Sequence, residues 1–311
     1  RVEGLTPSLH QLTWTRFASG LNHALGMVIV RQAGTRPEIF IQGRDQLTRL
    51  HDLNGDGEAD FYECFSQAFE TSPAGHDFIC GLERDEQGNF YTASGNQGLV
   101  RISADGRSAT VLATGFRNPD GLGLTTAGIA TIPCSEGDWT PASMLAAIRV
   151  PAAEPEEIPY FGYPGLRGEQ PPALPLVYLP RGLDNSAGGQ VAVSGENWGP
   201  LQGRGNMVHF SFGQGSASLL LVDEVEGQLQ GGVLPLQTEF LSGAHRGRFH
   251  PGDGRLYVSG MAGWGNYNPD DGCLQRVRFI PQSAGPLPVG FHVHENGVLI
   301  ELSAPLPETG G

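Results

Sequence analysis

The chain has 311 residues and a mass of 33.1 kDa, room for one large domain or two ordinary ones. Its 46 glycines and 23 prolines make up about 22% of it, against roughly 12% in average usage; with 39% hydrophobic residues and no three-residue glycine period, this excludes fibre and disorder and favours a turn-rich β protein. The net charge of −14, the 19 basic residues that are all arginine and the lack of any run of ~18 apolar residues argue against nucleic-acid partners, anionic membranes and a membrane span, and the missing lysine excludes lysine Schiff-base chemistry.

In chain order, short alternating runs bounded by Gly, Asp and Asn predict strands at 38–42, 89–93, 109–113, 218–222 and 255–259. Helical periodicity is nearly absent; the window 141–150, flanked by prolines, predicts at most a turn or two. Two internal similarities stand out. Residues 17–27 (FASGLNHALGM) align with 112–122 (LATGFRNPDGL), and 82–95 (LERDEQGNFYTASG) align with 249–260 (FHPGDGRLYVSG). The first offset, 95 residues, is about two units of 48, the length of a four-stranded blade. A single β-propeller over residues 1–305, with six blades in a range of five to seven, is the expected all-β fold, preferred to a pair of β-sandwiches. Residues 306–311 (LPETGG) match a sortase sorting signal and, with no apolar helix or basic tail after them, read as an engineered tag.

Cys64, Cys80, Cys134 and Cys273 contain no CxxC pair, which argues against zinc or iron–sulfur sites; Cys64 and Cys80 are open to either a disulfide or two free thiols. The strongest local motif is 52–63, DLNGDGEADFYE. Alternate side chains of Asp52, Asn54 and Asp56 present oxygens to one side, Gly57 allows the sharp turn, Glu58 offers its carbonyl, and Asp60 and Glu63 close the shell of a Ca²⁺ loop with a structural role. A solvated acidic hairpin is the alternative. Two polar loop clusters, Gly75-His76-Asp77-Phe78 and 115–121 (GFRNPDG), precede strands and would line a propeller's mouth. There His76, Arg117 and Asn118 combine a base with donors for developing negative charge, although each residue is also an ordinary loop hydrogen-bonder. His23 sits at the repeat position of Asn118, which points to a structural origin for that loop.

His292 and His294, with Glu295 and either His245 or His250, have metal-ligand composition, set against ordinary packing. Trp139, Trp198, Trp264 and Tyr267 suit either a sugar-stacking platform or seals at blade edges. The run 223–226 reads as a solvated hairpin.

Four motifs in order resemble the glucose/sorbosone dehydrogenase family. These are His76 through Gly98, Arg117-Asn118-Pro119-Asp120-Gly121-Leu122, Ser135-Glu136-Gly137-Asp138 followed by 160–164 (YFGYP), and Arg246-Gly247-Arg248 followed by 253–258 (DGRLYV). The passages 185–190, 241–248, 260–265 and 290–297 are most similar to the propeller modules of planctomycete-type membrane-bound dehydrogenases. The resemblance implies a β-propeller that uses pyrroloquinoline quinone (PQQ) to oxidise a sugar, polyol or related alcohol outside the cytoplasm. It implies His76 as general base, Arg117 polarising the quinone carbonyl, Asn118 supporting the cofactor, and Arg246 and Arg248 pairing with the cofactor's carboxylates. A second calcium would take ligands from 135–138, and a cytochrome c would accept the electrons. The family's lysine against the quinone has no counterpart here. Two other readings stand beside this one. The first is a non-catalytic, calcium-stabilised propeller that binds a glycan or partner protein. The second is a polysaccharide lyase or hydrolase with Tyr163 as acid.

Overall fold

The computed structural model describes residues 1–6, 8–9, 11–73, 77–169, 171–262, 270–280 and 285–307. Among them, five antiparallel sheets follow one another along the chain, each a meander whose neighbours in sequence are neighbours in space. Blade 1 holds β3 (Gly26–Val30), β4 (Glu38–Gln42), β5 (Leu47–His51) and β6 (Phe61–Ser66). Blade 2 holds β7 (Cys80–Arg84), β8 (Phe90–Ser94), β9 (Gly98–Ile102) and β10 (Ala109–Ala113). Blade 3 holds β11 (Gly123–Leu124), β12 (Ile129–Cys134), β13 (Met144–Arg149) and β14 (Val177–Tyr178). Blade 4 holds β15 (Ala187–Ala192), β16 (Met207–Ser211), β17 (Ser216–Val225) and β18 (Gln228–Pro235), and blade 5 holds β19 (Gly243–Phe249), β20 (Leu256–Met261) and β21 (Gly272–Val277). Two small hairpins complete the described structure: β1 (Val2–Glu3) with β2 (Thr13–Trp14), and β22 (Pro288–His294) with β23 (Gly297–Leu302).

The fold is therefore a β-propeller of five blades, within the expected range but one short of the favoured six. The shortfall has a local cause. The connection from β13 to β14 spends 27 residues without adding a strand, and the two ends of the chain build hairpins instead of a sheet. The hairpin β22–β23 leans on the side of blade 4, where His292 Nδ1 meets Asp223 Oδ1 at 2.9 Å and Val293 N donates to Asp223 Oδ2. The window 141–150, expected to turn once or twice as helix, is instead strand β13. Met144–Ala147 lie buried between neighbouring blades, and that tertiary burial overrides a helical local preference.

Period-2 alternation sends each sheet's two faces to different neighbours. In β4, Phe40 packs on Phe65 and on Phe90 of blade 2 (ring centroids 5.0 and 4.7 Å), while Ile39 and Ile41 face the other way. Strand β8 has neighbours on both sides and is buried at every residue. Four apolar seams result, joining blades 1–2, 2–3, 3–4 and 4–5. Among the described residues no fifth seam joins blade 5 to blade 1. Met27 and Ile29 of β3, and Met261 and Leu274 of blade 5, are exposed on the faces that would meet.

The internal repeats have a physical basis. In 82–95, Asp85 accepts Asn89 N at 2.8 Å and the Tyr91 hydroxyl at 2.7 Å; in 249–260, Asp253 accepts Arg255 N at 3.0 Å and the Tyr257 hydroxyl at 2.8 Å. The same aspartate closes the same first hairpin in blades 2 and 5. The other pair, 17–27 and 112–122, leads into inner strands β3 and β11. The equivalent residues His23 and Asn118 both take left-handed backbone, with φ of 48° and 45°.

Candidate functional site

The loops leading into the inner strands gather at one end of the ring. There the motifs at 115–121, 135–138 and 160–164 pack directly on one another. The Arg117 N–H donates to Cys134 Sγ at 3.0 Å, its carbonyl accepts Ser135 N, and Nη1 donates to the Glu136 carbonyl at 2.6 Å. Gly137 makes this possible, because a Cβ there would collide with Arg117 Cδ. Tyr163 N donates to the Gly115 carbonyl at 3.1 Å, and Phe116 stacks on Phe161 at 5.4 Å, joining the 160–164 segment to the same wall. Asn118 adds a buried Oδ1 without a hydrogen-bond partner. An unpaired buried amide oxygen costs roughly 1–3 kcal/mol, and a ligand donor would recover that.

Arg246 and Arg248, implied by the resemblance to pair with a cofactor's carboxylates, make hydrogen bonds within the ring. From β19, Arg246 reaches across the ring's axis. Its Nη1 donates to the carbonyls of Asp120 (blade 3) and His245, and its Nη2 donates to the Leu25 carbonyl at the start of blade 1. Gly121 permits the approach, since a Cβ there would meet Gly189 Cα at 2.6 Å and Arg246 Nη1 at 3.1 Å. Arg248 Nη2 pairs with Glu83 Oε1 at 2.7 Å and donates to the Leu82 carbonyl at 3.1 Å, both in blade 2. The two guanidiniums thus tie blade 5 to blades 1, 2 and 3. The Arg246 bond to Leu25 reaches the start of blade 1, on the side that lacks an apolar seam.

Charges here are shaped by enclosure. Burial pushes the Cys80 thiol up to about 12 against the opposing pull of Arg246, so it is an inert thiol beside the channel. Burial also raises the Glu83 carboxyl, with Arg248 opposing. His245 is held well below the usual histidine range, first by burial and then by Arg246. All four cysteines are free thiols, so Cys64 and Cys80 do not form a disulfide.

The acidic loop sits on blade 1, between β5 and β6, away from the mouth. Asp52 accepts Gly55 N (2.6 Å) and Gly57 N (3.1 Å), Asn54 Oδ1 accepts Asp56 N, Asp56 Oδ1 accepts Glu58 N, and Asp60 Oδ2 accepts Leu53 N at 2.7 Å. Asp52, Asn54, Asp56 and Asp60 therefore share one tight turn, and Asn54 Nδ2 donates to both Asp56 and Asp60. Glu63 is elsewhere. On β6 it lies opposite Arg49 and takes His51 Nε2 at 2.7 Å. Among the described residues no three His, Cys, Asp or Glu side chains close on a point where a metal would sit. The turn gathers Asp52, Asn54, Asp56 and Asp60, their oxygens accepting backbone N–H groups, and leaves Glu63 outside it on β6.

His76, Trp264 and Tyr267 lie outside the described residues, as do positions 308–311 of the tag. The candidate histidine metal cluster is dispersed, with His292 on Asp223, His250 on Asp253 and His245 against Phe212. Trp198 is buried against Phe249, while Trp139 is exposed. The run 223–226 is not simply solvated, because Asp223 holds His292 and Glu224 pairs with Arg149.

No family model matches this chain, and no curated protein matches it in sequence. Solved structures do match. A protein of Thermus thermophilus, provisionally described as an oxidoreductase (glucose dehydrogenase), aligns at a TM-score of 0.61 and 18% identity over 86% of this chain and 88% of that one. The luciferin-regenerating enzyme aligns at 0.50 and 14% identity over 81% and 77%. The soluble aldose sugar dehydrogenase of Escherichia coli aligns at 0.48 and 12% identity over 74% and 73%. The likeness is one of fold. This chain shares the β-propeller architecture of glucose dehydrogenase-like proteins. No helix among the described residues is long and apolar enough to cross a membrane.

Proposed function

We propose that this propeller is an extracytoplasmic sugar- or polyol-oxidising module of the PQQ type, acting at the mouth built from 115–121, 135–138 and 160–164. The observation that carries this reading is the packing of three separate motifs into one wall, with Arg117 held on the Glu136 carbonyl and Asn118 Oδ1 left without a donor. Arg117 and Asn118 would hold a planar, polar cofactor at this wall, while Arg246 and Arg248 are hydrogen-bonded to other blades. PQQ, when bound, supplies a quinone that accepts hydride from an alcohol carbon. The chain's own contribution is position and charge. Arg117 would donate hydrogen bonds toward developing negative charge, Asn118 would accept one from the bound group, and His76 would take the substrate's hydroxyl proton. Electrons would leave to a cytochrome c. A Ca²⁺ held by the Asp52–Asp60 loop would stiffen blade 1, and the low affinity typical of extracellular modules suits a calcium-rich compartment.

The second reading, a non-catalytic calcium-stabilised propeller that binds a glycan or partner protein, is favoured by the internal commitment of Arg246 and Arg248. Reconstitution with PQQ and calcium, followed by dye reduction over a panel of aldoses and polyols, separates the two. Sugar-dependent reduction that disappears in Arg117→Ala supports oxidation. Saturable glycan binding with no dye reduction and no change in quinone absorbance supports the second reading and ends the first.

A further inference from the structure

The lead-in to blade 1 repeats the lead-in to blade 3 but is left uncovered. Residues 17–27 and 112–122 align in sequence, and the strands that follow keep the same register. The Asn22 carbonyl accepts Arg44 N at 3.4 Å, as the Arg117 carbonyl accepts Ser135 N at 3.0 Å. Ser19, Gly20, Leu21 and Ile41 therefore stand where blade 3 has Thr114, Gly115, Phe116 and Ile132. Gly20 and Gly115 share left-handed backbone, with φ of 75° and 88°.

In blade 3 this stretch is a pairing edge. Thr114 N donates to the Pro159 carbonyl and the Thr114 carbonyl accepts Phe161 N, both at 2.9 Å, which forms a parallel bridge to Tyr160. The Gly115 carbonyl accepts Tyr163 N at 3.1 Å. Phe161 is buried in one apolar cluster with Phe116 and Ile132. A Cβ on Gly115 would meet the Tyr160 ring at 2.6 Å, whereas a Cβ on Gly20 would meet nothing within 4 Å. Beside Gly20 lies a cavity of about 430 Å³, lined by partly buried Leu21 and buried Ile41 together with the more exposed Asn22, Asp45 and Tyr62. Among the described residues the Ser19 and Gly20 carbonyls accept no hydrogen bond. Ser19 N donates to the Tyr62 hydroxyl at 3.1 Å, which stands in for the Pro159 carbonyl.

We propose that this cavity receives an extended segment of a partner protein, pairing in parallel with Ser19 and Gly20 and laying an aromatic side chain on Leu21 and Ile41. The internal equivalent selects the occupant. Residues 159–163 (PYFGY) are proline-led, aromatic and uncharged, and they cover the matching backbone and apolar positions of blade 3. In such strand addition the backbone bonds supply affinity and the side-chain pocket supplies choice. Asp45 is the one charged side chain among the lining residues, and the chain's net charge is −14, so a neutral or basic segment is favoured over an acidic one. A sugar would use the Asn22 amide and the Asp45 carboxylate but has no ladder to offer the two carbonyls. The site does not depend on the chemistry at the mouth, whose wall belongs to blade 3.

The probe is the end-capped, fluorophore-labelled peptide IPYFGYP, the sequence of residues 158–164, titrated with the full chain and followed by anisotropy. Saturable binding on the order of 10–100 μM is expected. Alanine in place of the peptide's phenylalanine, and Leu21→Asp in the protein, should each weaken it at least about tenfold with circular dichroism unchanged. Tyr62→Phe frees Ser19 N and should tighten binding at least about twofold. No binding up to about 1 mM, or an affinity indifferent to Leu21→Asp or to Tyr62→Phe, overturns the proposal. So does a neutral oligosaccharide that competes the peptide away, or a dimer in sedimentation velocity that Leu21→Asp dissolves, since these assign the cavity to a glycan or to a second copy. If Leu21→Asp fails to fold, a peptide with benzoylphenylalanine at the phenylalanine position is photo-crosslinked to the unaltered protein. Labelling at Leu21 or Ile41 supports the site, and labelling confined to other blades overturns it.

Discussion

Arg246→Met removes the guanidinium that links β19 to the carbonyls of Leu25, Asp120 and His245 while keeping most of the side chain's length and apolar contact. Hydrogen bonds to a charged group contribute roughly 1.5–3 kcal/mol each, and three carbonyls lose their donor. Part of that loss is offset, because burial already disfavours the charged arginine. The expected net loss is about 2–4 kcal/mol, concentrated where blade 5 meets blade 1 without an apolar seam. Urea unfolding followed by tryptophan fluorescence measures it, with Arg246→Lys as control. A point-charge ammonium cannot fork to three carbonyls, so the lysine variant should recover less than half of the loss. Loss of under about 0.5 kcal/mol in Arg246→Met would refute the role of ring tie and return Arg246 to the pool of cofactor ligands.

Chelation of calcium should lower the melting temperature, and Asp56→Asn should abolish that response while Glu63→Gln leaves it intact, because Glu63 is occupied by His51 and Arg49. Gly137→Ala should leave the fold in place by circular dichroism yet displace Arg117 and cut ligand binding or turnover at the mouth at least about tenfold, since the new Cβ collides with Arg117 Cδ. Asp85→Asn and Asp253→Asn should each cost about 1–2 kcal/mol in urea unfolding, matching one another because each carboxylate closes the same turn and holds the same tyrosine hydroxyl. His245, depressed in the folded state, contributes stability that is complete above the ordinary histidine value and is lost as pH falls below about 6.5, because the unfolded chain binds the proton first. In His245→Gln, the slope of stability between about pH 6.5 and 5, at most about 1.4 kcal/mol per pH unit for one proton, should flatten.

Much of the fold was legible in local pattern. The alternating runs at 38–42 and 109–113 are β4 and β10, and the two aligned segment pairs mark equivalent turns of different blades. The blade number was not legible, because whether terminal segments form a sheet or a hairpin depends on which neighbour they find. At the mouth, the three motifs stood out by their order along the chain, and the structure packs them against one another. Arg246 and Arg248 did not. Several of the guanidiniums' partners are carbonyls more than 120 residues away, and nothing in an R-G-R triplet distinguishes a cofactor clamp from a tie across the ring. Glu63 illustrates the same limit at short range. The twelfth position of the loop motif is also a strand position opposite Arg49, and strand register won.

The most direct test of the proposed site is a crystal structure of the protein soaked with PQQ and a substrate polyol. Density is expected against Arg117 and Asn118, within hydrogen-bond reach of Asn118 Oδ1, with Arg246 still bonded to Leu25 and Asp120. Density stacked against Arg246 and Arg248 in place of those carbonyls, or an empty mouth at saturating ligand, would contradict it.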